Sequence, residues 1–336
     1  MVQIVSISSL KGGVGKSSVT LGLASAALEA GIPTLVIDLD PHADASTALG
    51  VRAQPSQDIG SILRKPKKGA VSKITVPSSW TKHPITPETS TPAIASTAQA
   101  SDSGHGPVGD DAPTGGASVG SASVVTNADT PTSGAPGRDH SNKSSGATTE
   151  GTEQATTPQN SPVRPVLDVA PGSASSSHLD RSTFKVKDLK RLETILQGVD
   201  KYELVLIDCP PSLTALTRMA WAASHKVLSV AEPSLFSVAG TKRTMTAIAQ
   251  FDVSKLWAVP AAGVIINRAR EDFSEHSHRI AELHELFGDL VVQPTIPDAP
   301  VMQQIQGAAW PVHKWPGEQA TDLAARFSTI LNGLLT

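Results

Sequence analysis

Short, nearly continuous apolar runs rich in Val, Ile and Leu recur along the chain. They lie at residues 2–8, 34–40, 202–210, 225–233 and 261–269, with less regular candidates at 167–172 and 290–297. Runs of this kind are typical of β-strands that are covered on both faces, as the strands of a parallel sheet are. The pattern therefore predicts a mostly parallel β-sheet.

Between these runs, apolar residues recur at the three- and four-residue spacing of a helix. Helices are predicted at 16–30, where Gly31 ends the helix, at 185–199 and at 318–336. Strands that alternate with helices indicate an α/β fold, a doubly wound, mostly parallel sheet with helices on both faces. The last helix has one apolar face, formed by Leu323, Phe327, Ile330, Leu331 and Leu334.

One long stretch, from Glu88 to Val163, lacks Leu, Phe, Trp, Tyr and Met and is dominated by Ser, Thr, Ala, Gly and Pro. It cannot bury enough apolar surface to offset its chain entropy, so 88–163 is predicted to be a disordered insertion. The insertion carries eight acidic residues against Arg138 and Lys143, a charge of −6. Because the whole chain carries −3, the remainder is left with +3, which is compatible with a polyanionic partner.

The composition excludes several classes of protein. The lone cysteine, Cys209, cannot form an internal disulfide framework or, within one subunit, a multi-cysteine metal or iron–sulfur centre. No stretch approaches about 20 uninterrupted apolar residues, so no membrane span is expected. The first residues carry no basic segment ahead of an apolar core, so we expect no secretion signal and predict a cytoplasmic protein.

A glycine-rich loop, SSLKGGVGKSS at 8–18, lies between the first predicted strand and the first helix. The general phosphate-binding loop reads G-x-x-x-x-G-K-[ST], and here Leu10 stands where its first glycine belongs. Such a turn aims backbone N–H groups at one point, and the positive end of the helix reinforces them. The alternative is a helix start with chance glycines. The residues expected to bind ATP are Gly12, Gly13, Val14, Gly15, Lys16, Ser17 and Ser18.

Within this loop, Lys16 is expected to reach the β- and γ-phosphates and the Ser17 hydroxyl to hold Mg²⁺. Asp208 ends an apolar run in the manner of a Walker-B carboxylate, which would bind metal-bound water. Apolar runs that lead to one acid are common by chance, so this assignment depends on the loop.

Two further aspartates, Asp38 and Asp40, follow the second predicted strand. Strand alternation would send both side chains to the same side, beside the glycine loop. We expect one, Asp38, to orient Mg²⁺ and its waters and the other, Asp40, to position the water that attacks the γ-phosphate. The alternative is an aspartate that caps the turn before Pro41.

Four segments, KGGVGKSS, VIDLDPHADAS, YELVLIDCPPSL and GVIINR, occur in this order and resemble the deviant Walker-A ATPases of the ParA/MinD type, most closely the ParA partition ATPases. The resemblance covers the chain outside the insertion, so it implies that 1–87 and 164–336 form a single P-loop ATPase domain. It also implies that Lys11 reaches across a dimer to the phosphates of the partner subunit's nucleotide. The catalytic set would then be Lys11, Lys16 and Asp40. Without the resemblance, Lys11 could be a solvated loop cation.

The resemblance also implies which residues bind the adenine base. Asn267, at the end of GVIIN, would hydrogen-bond the base, and Pro297 in the loop PTIPDAP would pass near it. An Asn that caps a strand end is the alternative. Family members carry Gln-Gly-Asn where this chain has His42, Ala43 and Asp44, which puts the behaviour of that loop and the hydrolysis rate in question.

The function implied is an ATPase that forms an ATP-dependent sandwich dimer, binds DNA without sequence preference and moves DNA or other large cargo. A ParB-like partner would stimulate hydrolysis, and association with the nucleoid is compatible with this. The alternative is a positioning scaffold that recruits division or polarity proteins through the insertion. Candidate DNA contacts, each of which could be a solvated patch, are 64–68, Lys242, Arg243, Arg268 and Arg270.

Related functions fit the residues less well. Membrane-surface helices usually need a basic polar face, but Arg326 is the only cation of the last helix. We therefore expect that helix to pack on the sheet and predict no direct membrane binding. Iron–sulfur carriers need more cysteines than Cys209, and kinases that end in a tyrosine cluster need more than Tyr202. A small-molecule ligase or kinase lacks a second substrate motif.

Overall fold

The computed structural model describes residues 2–82, 166–180, 185–253 and 260–336, and the insertion predicted at 88–163 lies outside these described residues. Within them, one eight-stranded sheet has the strand order β3-β4-β2-β5-β1-β6-β7-β8. Neighbouring strands are parallel, except that β3 runs antiparallel to β4. The strands are β1 Gln3–Ser8, β2 Thr34–Asp38, β3 Val76–Pro77, β4 Leu167–Ala170, β5 Leu204–Asp208, β6 Lys226–Ala231, β7 Ala261–Ile266 and β8 Val291–Val292.

Helices cover both faces of the sheet. Leu204 and Leu206 of β5 belong to the apolar cluster that includes the first and last helices. The alternate residues Val205 and Ile207 belong to a second cluster on the opposite face. The predicted doubly wound α/β fold is therefore confirmed. The α-helices are α1 Lys16–Glu29, α2 Asp44–Ala48, α3 Ile59–Arg64, α4 Ser177–Asp180, α5 Arg191–Ile195, α6 Ala215–Ala223, α7 Leu235–Val253, α8 Ser274–Phe287, α9 Val301–Gly307 and α10 Glu318–Leu335.

The position of β5 between β1 and β2 brings three loops together. Asp208 is in register with Ile7 on one side and with Asp38 on the other. Because all three strands are parallel, their carboxyl ends share one edge of the sheet. The loops that follow β1, β2 and β5 therefore meet there, as expected for a ligand site in an open α/β sheet.

Most predicted elements are shorter than their apolar runs, and in three of them the structure shows the cause. The second strand ends at Asp38 rather than at residue 40, because the Asp40 N–H donates to the Asp38 carboxylate instead of continuing the sheet. In the segment 290–297 only Val291–Val292 forms a strand, and Pro294 has no N–H to extend its ladder.

The helix predicted at 185–199 is divided in two. A 3₁₀ turn over Val186–Lys190 precedes the short helix α5. Asp188 folds back to accept the backbone N–H of Lys185, and Val186 is 55% exposed. The first half of the segment therefore has little apolar surface with which to stabilise a regular helix.

Helix α10 packs as its pattern predicts. Its five apolar residues are buried, and the Phe327 ring lies against Gly22 of α1, where a Cβ atom would collide with it. Among the described helices, none is long and apolar enough to cross a membrane.

Candidate functional site

The glycine loop after β1 adopts a conformation that only glycine adopts readily at two positions. Gly13 and Gly15 have φ angles of 81° and 89°, and a Cβ atom on Gly15 would collide with the side-chain amide of Asn267. Helix α1 begins at Lys16 without a side-chain cap. Its first backbone N–H groups are therefore available to an anion, whose charge the helix dipole also favours.

A cavity of about 590 Å³ opens in front of this loop. Its volume lies in the range of small-molecule sites. Lys16 lines the cavity, although only 7% of the residue is exposed. The other lining residues include Gly12, Gly13, Gly15, Ser17, Ser18, Asp40, His42, Asp44, Thr47, Pro211, Arg268 and Gln306.

A smaller cavity of about 190 Å³ lies alongside and shares Ser18, Arg268 and Gln306 with the first. Asn267 and Pro297 line it together with apolar residues from the last two helices. The Asn267 amide nitrogen donates to the Val14 carbonyl at 2.8 Å, whereas the Val14 side chain itself is buried in the core. The lining thus combines apolar side chains with the amides of Asn267, Gln303 and Gln306, and the adenine contact of Asn267 remains a prediction.

Asp208, at the end of β5, is fully buried beneath the loop. Its carboxylate accepts the Ser17 hydroxyl at 2.7 Å and the Thr20 hydroxyl at 3.1 Å. Burial raises the pKa of Asp208, and the hydrogen bond from Ser17 and the charge of Lys16 oppose this effect. A cation near Ser17 would favour the ionised carboxylate.

Asp38 is also fully buried, and it fixes the loop that follows β2. One carboxylate oxygen accepts the Ser46 N–H at 2.8 Å and the Ser46 hydroxyl at 2.7 Å, and the other accepts the Asp40 N–H at 3.1 Å. Burial, followed by the charge of Asp208, raises the pKa of Asp38. Asp38 thus contacts the protein through both oxygens.

The expectation that Asp38 and Asp40 lie on one strand is not met, because the strand ends at Asp38, so strand alternation does not place Asp40. Asp40 lines the large cavity, whereas Asp38 is fully buried and does not line it. The two carboxylates therefore face different surroundings. The predicted metal role of Asp38 stays a prediction, and its hydrogen bonds make it a positioning residue for the loop.

Asp40 is oriented by His42, whose backbone N–H and Nδ1 lie 3.0 and 2.9 Å from one Asp40 oxygen. The His42 side chain is 80% exposed, and its hydrogen bond with Asp40 raises its pKa. The next residue, Ala43, has a φ of 58°, a left-handed conformation that is costly for a residue with a Cβ atom.

Lys11 lies apart from the loop's other lysine. Its Nζ atom is 3.2 Å from the Ser234 hydroxyl and 3.4 Å from a Glu232 carboxylate oxygen, at the start of α7 in the same chain. Lys11 does not line the large cavity, whereas Lys16 does. The side chain of Lys11 is 29% exposed, so its ammonium group is accessible at this edge of the protein.

Sequence reasoning missed several residues that hold the site together. Ser46 fixes Asp38, the Gln306 amide donates to the Ser18 hydroxyl at 2.8 Å, and Arg268 donates to the Gly13 carbonyl at 2.8 Å. Arg268, a candidate DNA contact from the sequence, lines both cavities. Ser46 and Arg268 lie within the motif segments, but neither motif nor spacing shows which group each of these residues contacts, because the partner is distant in sequence or embedded in a loop.

The residues present fit a nucleoside triphosphate with Mg²⁺. Lys16 and the uncapped start of α1 suit its phosphates, and Ser17 and Asp208 offer oxygen atoms for the metal or its waters. Within the described residues, no group of three or more His, Cys, Asp or Glu could hold a metal ion. A divalent cation here would therefore depend on phosphate and water ligands, as Mg²⁺ commonly does.

Comparison with known proteins agrees with this arrangement. The chain is 31% identical to the chromosome partitioning protein ParA of Caulobacter vibrioides over 142 residues, which cover 40% of this chain and 51% of that protein. It also resembles the structure of a McdA variant of Cyanothece in complex with ATP, with a TM-score of 0.67 and 14% identity over 99% of this chain and 96% of the other.

A third similar protein is the septum site-determining protein MinD of Pyrococcus horikoshii, solved with Mg-ADP. The TM-score is 0.56, with 17% identity over 98% of this chain and 95% of the other. These two structural likenesses show a shared fold. The chain also matches the CbiA family, the CobQ/CobB/MinD/ParA nucleotide binding domain, over residues 5–306. Because this match covers most of the chain, the protein belongs to the CobQ/CobB/MinD/ParA nucleotide-binding family.

Proposed function

We propose that this chain is a Mg²⁺-dependent ATPase that closes into a sandwich dimer with ATP, binds DNA without sequence preference and positions DNA or another large cargo. A partner protein of the ParB type stimulates hydrolysis and ends each cycle. The observation that carries the proposal is the pair of lysines in one loop, with Lys16 in the cavity wall and Lys11 outside it.

The nucleotide would be bound mainly by backbone and by one buried cation. The glycine loop and the start of α1 line the cavity, so their backbone N–H groups would suit the phosphates, and Lys16 would neutralise the phosphate charge. Ser17 and Asp208 would hold Mg²⁺, which neutralises charge between the β- and γ-phosphates. Asn267 and Pro297 would bind the adenine in the smaller cavity.

Hydrolysis would depend on Asp40, the carboxylate that lines the cavity. Its side chain is suited to accept a hydrogen bond from water and to orient that water toward the γ-phosphate, because phosphoryl transfer depends mainly on positioning and charge neutralisation. Asp38 supports this step indirectly, since it fixes the backbone of the loop on which Asp40 lies.

Dimer formation gives Lys11 its role. Burial of ATP between two protein faces is costly unless cations compensate its charge. In its own subunit, Lys11 contacts Ser234 and Glu232 instead of lining the cavity. We infer that a second copy brings its Lys11 to the phosphates, as an arginine finger does in other phosphoryl-transfer enzymes.

The mass of the protein in solution tests this proposal. We expect sedimentation with Mg²⁺ and ATP to give a dimer for wild type and a monomer for Lys11→Ala, while both variants still bind ATP. Lys82→Ala, which removes an exposed lysine outside the site, is the matched control and should dimerise as wild type does. An undiminished dimer of Lys11→Ala would overturn the role of this lysine.

A further inference from the structure

Two basic segments that are far apart in sequence pack side by side. The Arg191 guanidinium donates to the Leu63 carbonyl at 3.2 Å, and the Gly69 N–H donates to the Thr194 carbonyl at 3.4 Å. These bonds tie the end of α3 and the segment 64–73 to α5, which directly follows the turn that carries Lys187 and Lys190. We call the eight cations on the two segments the basic surface: Arg64, Lys65, Lys67, Lys68, Lys73, Lys185, Lys187 and Lys190.

All eight side chains are exposed, and few acids lie near them in sequence. The stretch 59–82 contains no Asp or Glu. On the second segment, Asp188 is paired with Arg191 at 2.8 Å and also accepts the Lys185 N–H. Within the described residues, none of the eight cations forms an ion pair. Asp188 offsets part of the charge of Lys187, but one acid among eight cations leaves this surface positive, which favours an external polyanion.

The side chains between these cations indicate which kind of polyanion the basic surface would bind. Trp80, the aromatic residue nearest to the first segment, is buried, and Val186 is the exposed apolar residue between the lysines of the second segment. Phe184, next to Lys185, lies outside the described residues. The described part of the basic surface therefore has no exposed aromatic group on which single-stranded bases could stack. Attachment to a membrane surface needs a larger apolar face. Lysine and arginine without such groups suit the phosphates of a duplex, whose backbone carries no sequence information.

Two of the other four candidate cations, Arg268 and Arg270, have partners within the protein, whereas Lys242 and Arg243 are exposed but number two against eight. Arg268 is bonded to the Gly13 carbonyl beside the nucleotide cavity. The Arg270 guanidinium lies 4.8 Å from the centre of the Phe273 ring. We propose that the basic surface, rather than these residues or Lys242 and Arg243, contacts the phosphate backbone of double-stranded DNA. This inference rests on the proposed function, because it names the surface that would perform its DNA-binding step.

Two matched triple variants of the full chain test the assignment. The first, Lys67→Gln/Lys68→Gln/Lys187→Gln, removes three charges from the basic surface. The second, Lys242→Gln/Arg243→Gln/Arg270→Gln, removes three charges elsewhere. Binding to two fluorescent duplexes of unrelated sequence is measured with Mg²⁺ and ATP over a range of KCl concentrations. ATP turnover without DNA should stay at the wild-type value for the first variant, which would show that its fold and nucleotide site are intact.

We expect the first variant to lose affinity for both duplexes by about 10-fold or more. The slope of log K against log salt should decrease by about 3, roughly one for each phosphate that the variant no longer neutralises. The second variant should keep the wild-type slope. A loss confined to the second variant, or wild-type binding by both, would overturn the assignment and leave the proposed function standing.

Two other outcomes separate the inference from the proposed function. If wild type binds neither duplex at any salt concentration, both this inference and the DNA step fail, while the Lys11 experiment still decides the dimeric ATPase. If wild type binds vesicles of phosphatidylcholine and phosphatidylglycerol through the basic surface but does not bind DNA, the ligand assigned here is wrong.

Discussion

The loops that follow β1 and β2 lie next to each other, but they are held by different means. The loop after β1 is shaped by glycines and by the start of a helix, and its ligand-binding groups are mostly backbone N–H groups. The loop after β2 is held by side chains, through the bonds from Ser46 to Asp38 and from His42 to Asp40. The half proposed to bind phosphate therefore depends on backbone conformation, and the half proposed to carry out hydrolysis depends on groups that titrate and are easily substituted.

The largest expected effect comes from a change in the glycine loop after β1. Gly15→Ala forces a Cβ atom into the Asn267 amide at a φ of 89°, so the loop must change shape. We expect ATP affinity to decrease by about 100-fold or more, since each missing interaction with a charged phosphate costs on the order of 1.5–3 kcal/mol. Titration calorimetry with ATP measures this. Gly31→Ala is the control, because it has a positive φ but lies far along the chain with open space around it.

The next largest effect comes from a change in the loop after β2, which should leave the binding of ATP nearly unchanged. Asp40→Asn keeps the shape of the residue but weakens its ability to orient and polarise water, so ATP turnover should decrease by about 10²- to 10³-fold. The affinity for ATP should stay within a few-fold of wild type, because the phosphates are bound by the other loop. Turnover within a few-fold of wild type would mean that another group positions the attacking water.

Ser46→Ala tests how far the hydrogen bond to Asp38 stabilises the loop after β2. It removes the hydroxyl donor at 2.7 Å from a fully buried carboxylate, and such a change costs about 1–3 kcal/mol. Denaturant unfolding should show this decrease in the free energy of unfolding. Ser61→Ala, which removes a hydroxyl donor to Asp58 outside the site, provides a comparison. Turnover should also decrease for Ser46→Ala but not for Ser61→Ala.

The smallest expected effect is a pH dependence. The hydrogen bond to Asp40 and the charges of Asp40 and Asp44 raise the pKa of His42 above 6.5. The pairing of His42 with Asp40 therefore stabilises the loop fully below pH 6.5 and is lost as the pH rises through the raised pKa. Deprotonation would release Asp40, so turnover should increase about two- to three-fold across this range in wild type. His42→Gln should show no such step, and a step of unchanged size in that variant would exclude His42 as its source.

The difference between the two loops also explains which parts of the site can be predicted from the sequence. The glycine spacing, the buried strand before it and the helix after it are local signals, and they suffice to predict the loop and the helix that begins at Lys16. The end of β2 depends on a bond between Asp38 and Asp40 that alternation does not reveal. The contacts of Asn267 and Arg268 with the glycine loop cross more than 250 positions of sequence, and no local pattern encodes them.

The strands of the sheet also show which signals are local. Continuous apolar runs predicted the long central strands, because burial on both faces leaves a direct mark on composition. The segment 185–199 has helical spacing, but its first half is solvated and rich in lysine, so tertiary contacts stabilise only α5. Spacing alone does not measure how much surface a segment buries.

The short ladder between β3 and β4 has a practical consequence. Val76 pairs with Val169, and the Ser78 N–H donates to the Leu167 carbonyl at 2.9 Å. The chain thus departs toward Lys82 and returns at Val166 from two adjacent stems. The entropy of closing such a loop grows only slowly, by about 0.6 kcal/mol for each doubling of length. A fluorescent domain or an affinity tag could therefore be inserted between Lys82 and Val166, which would leave both chain ends unchanged. Linkers of different lengths at this position would attach the protein to a surface at a chosen distance.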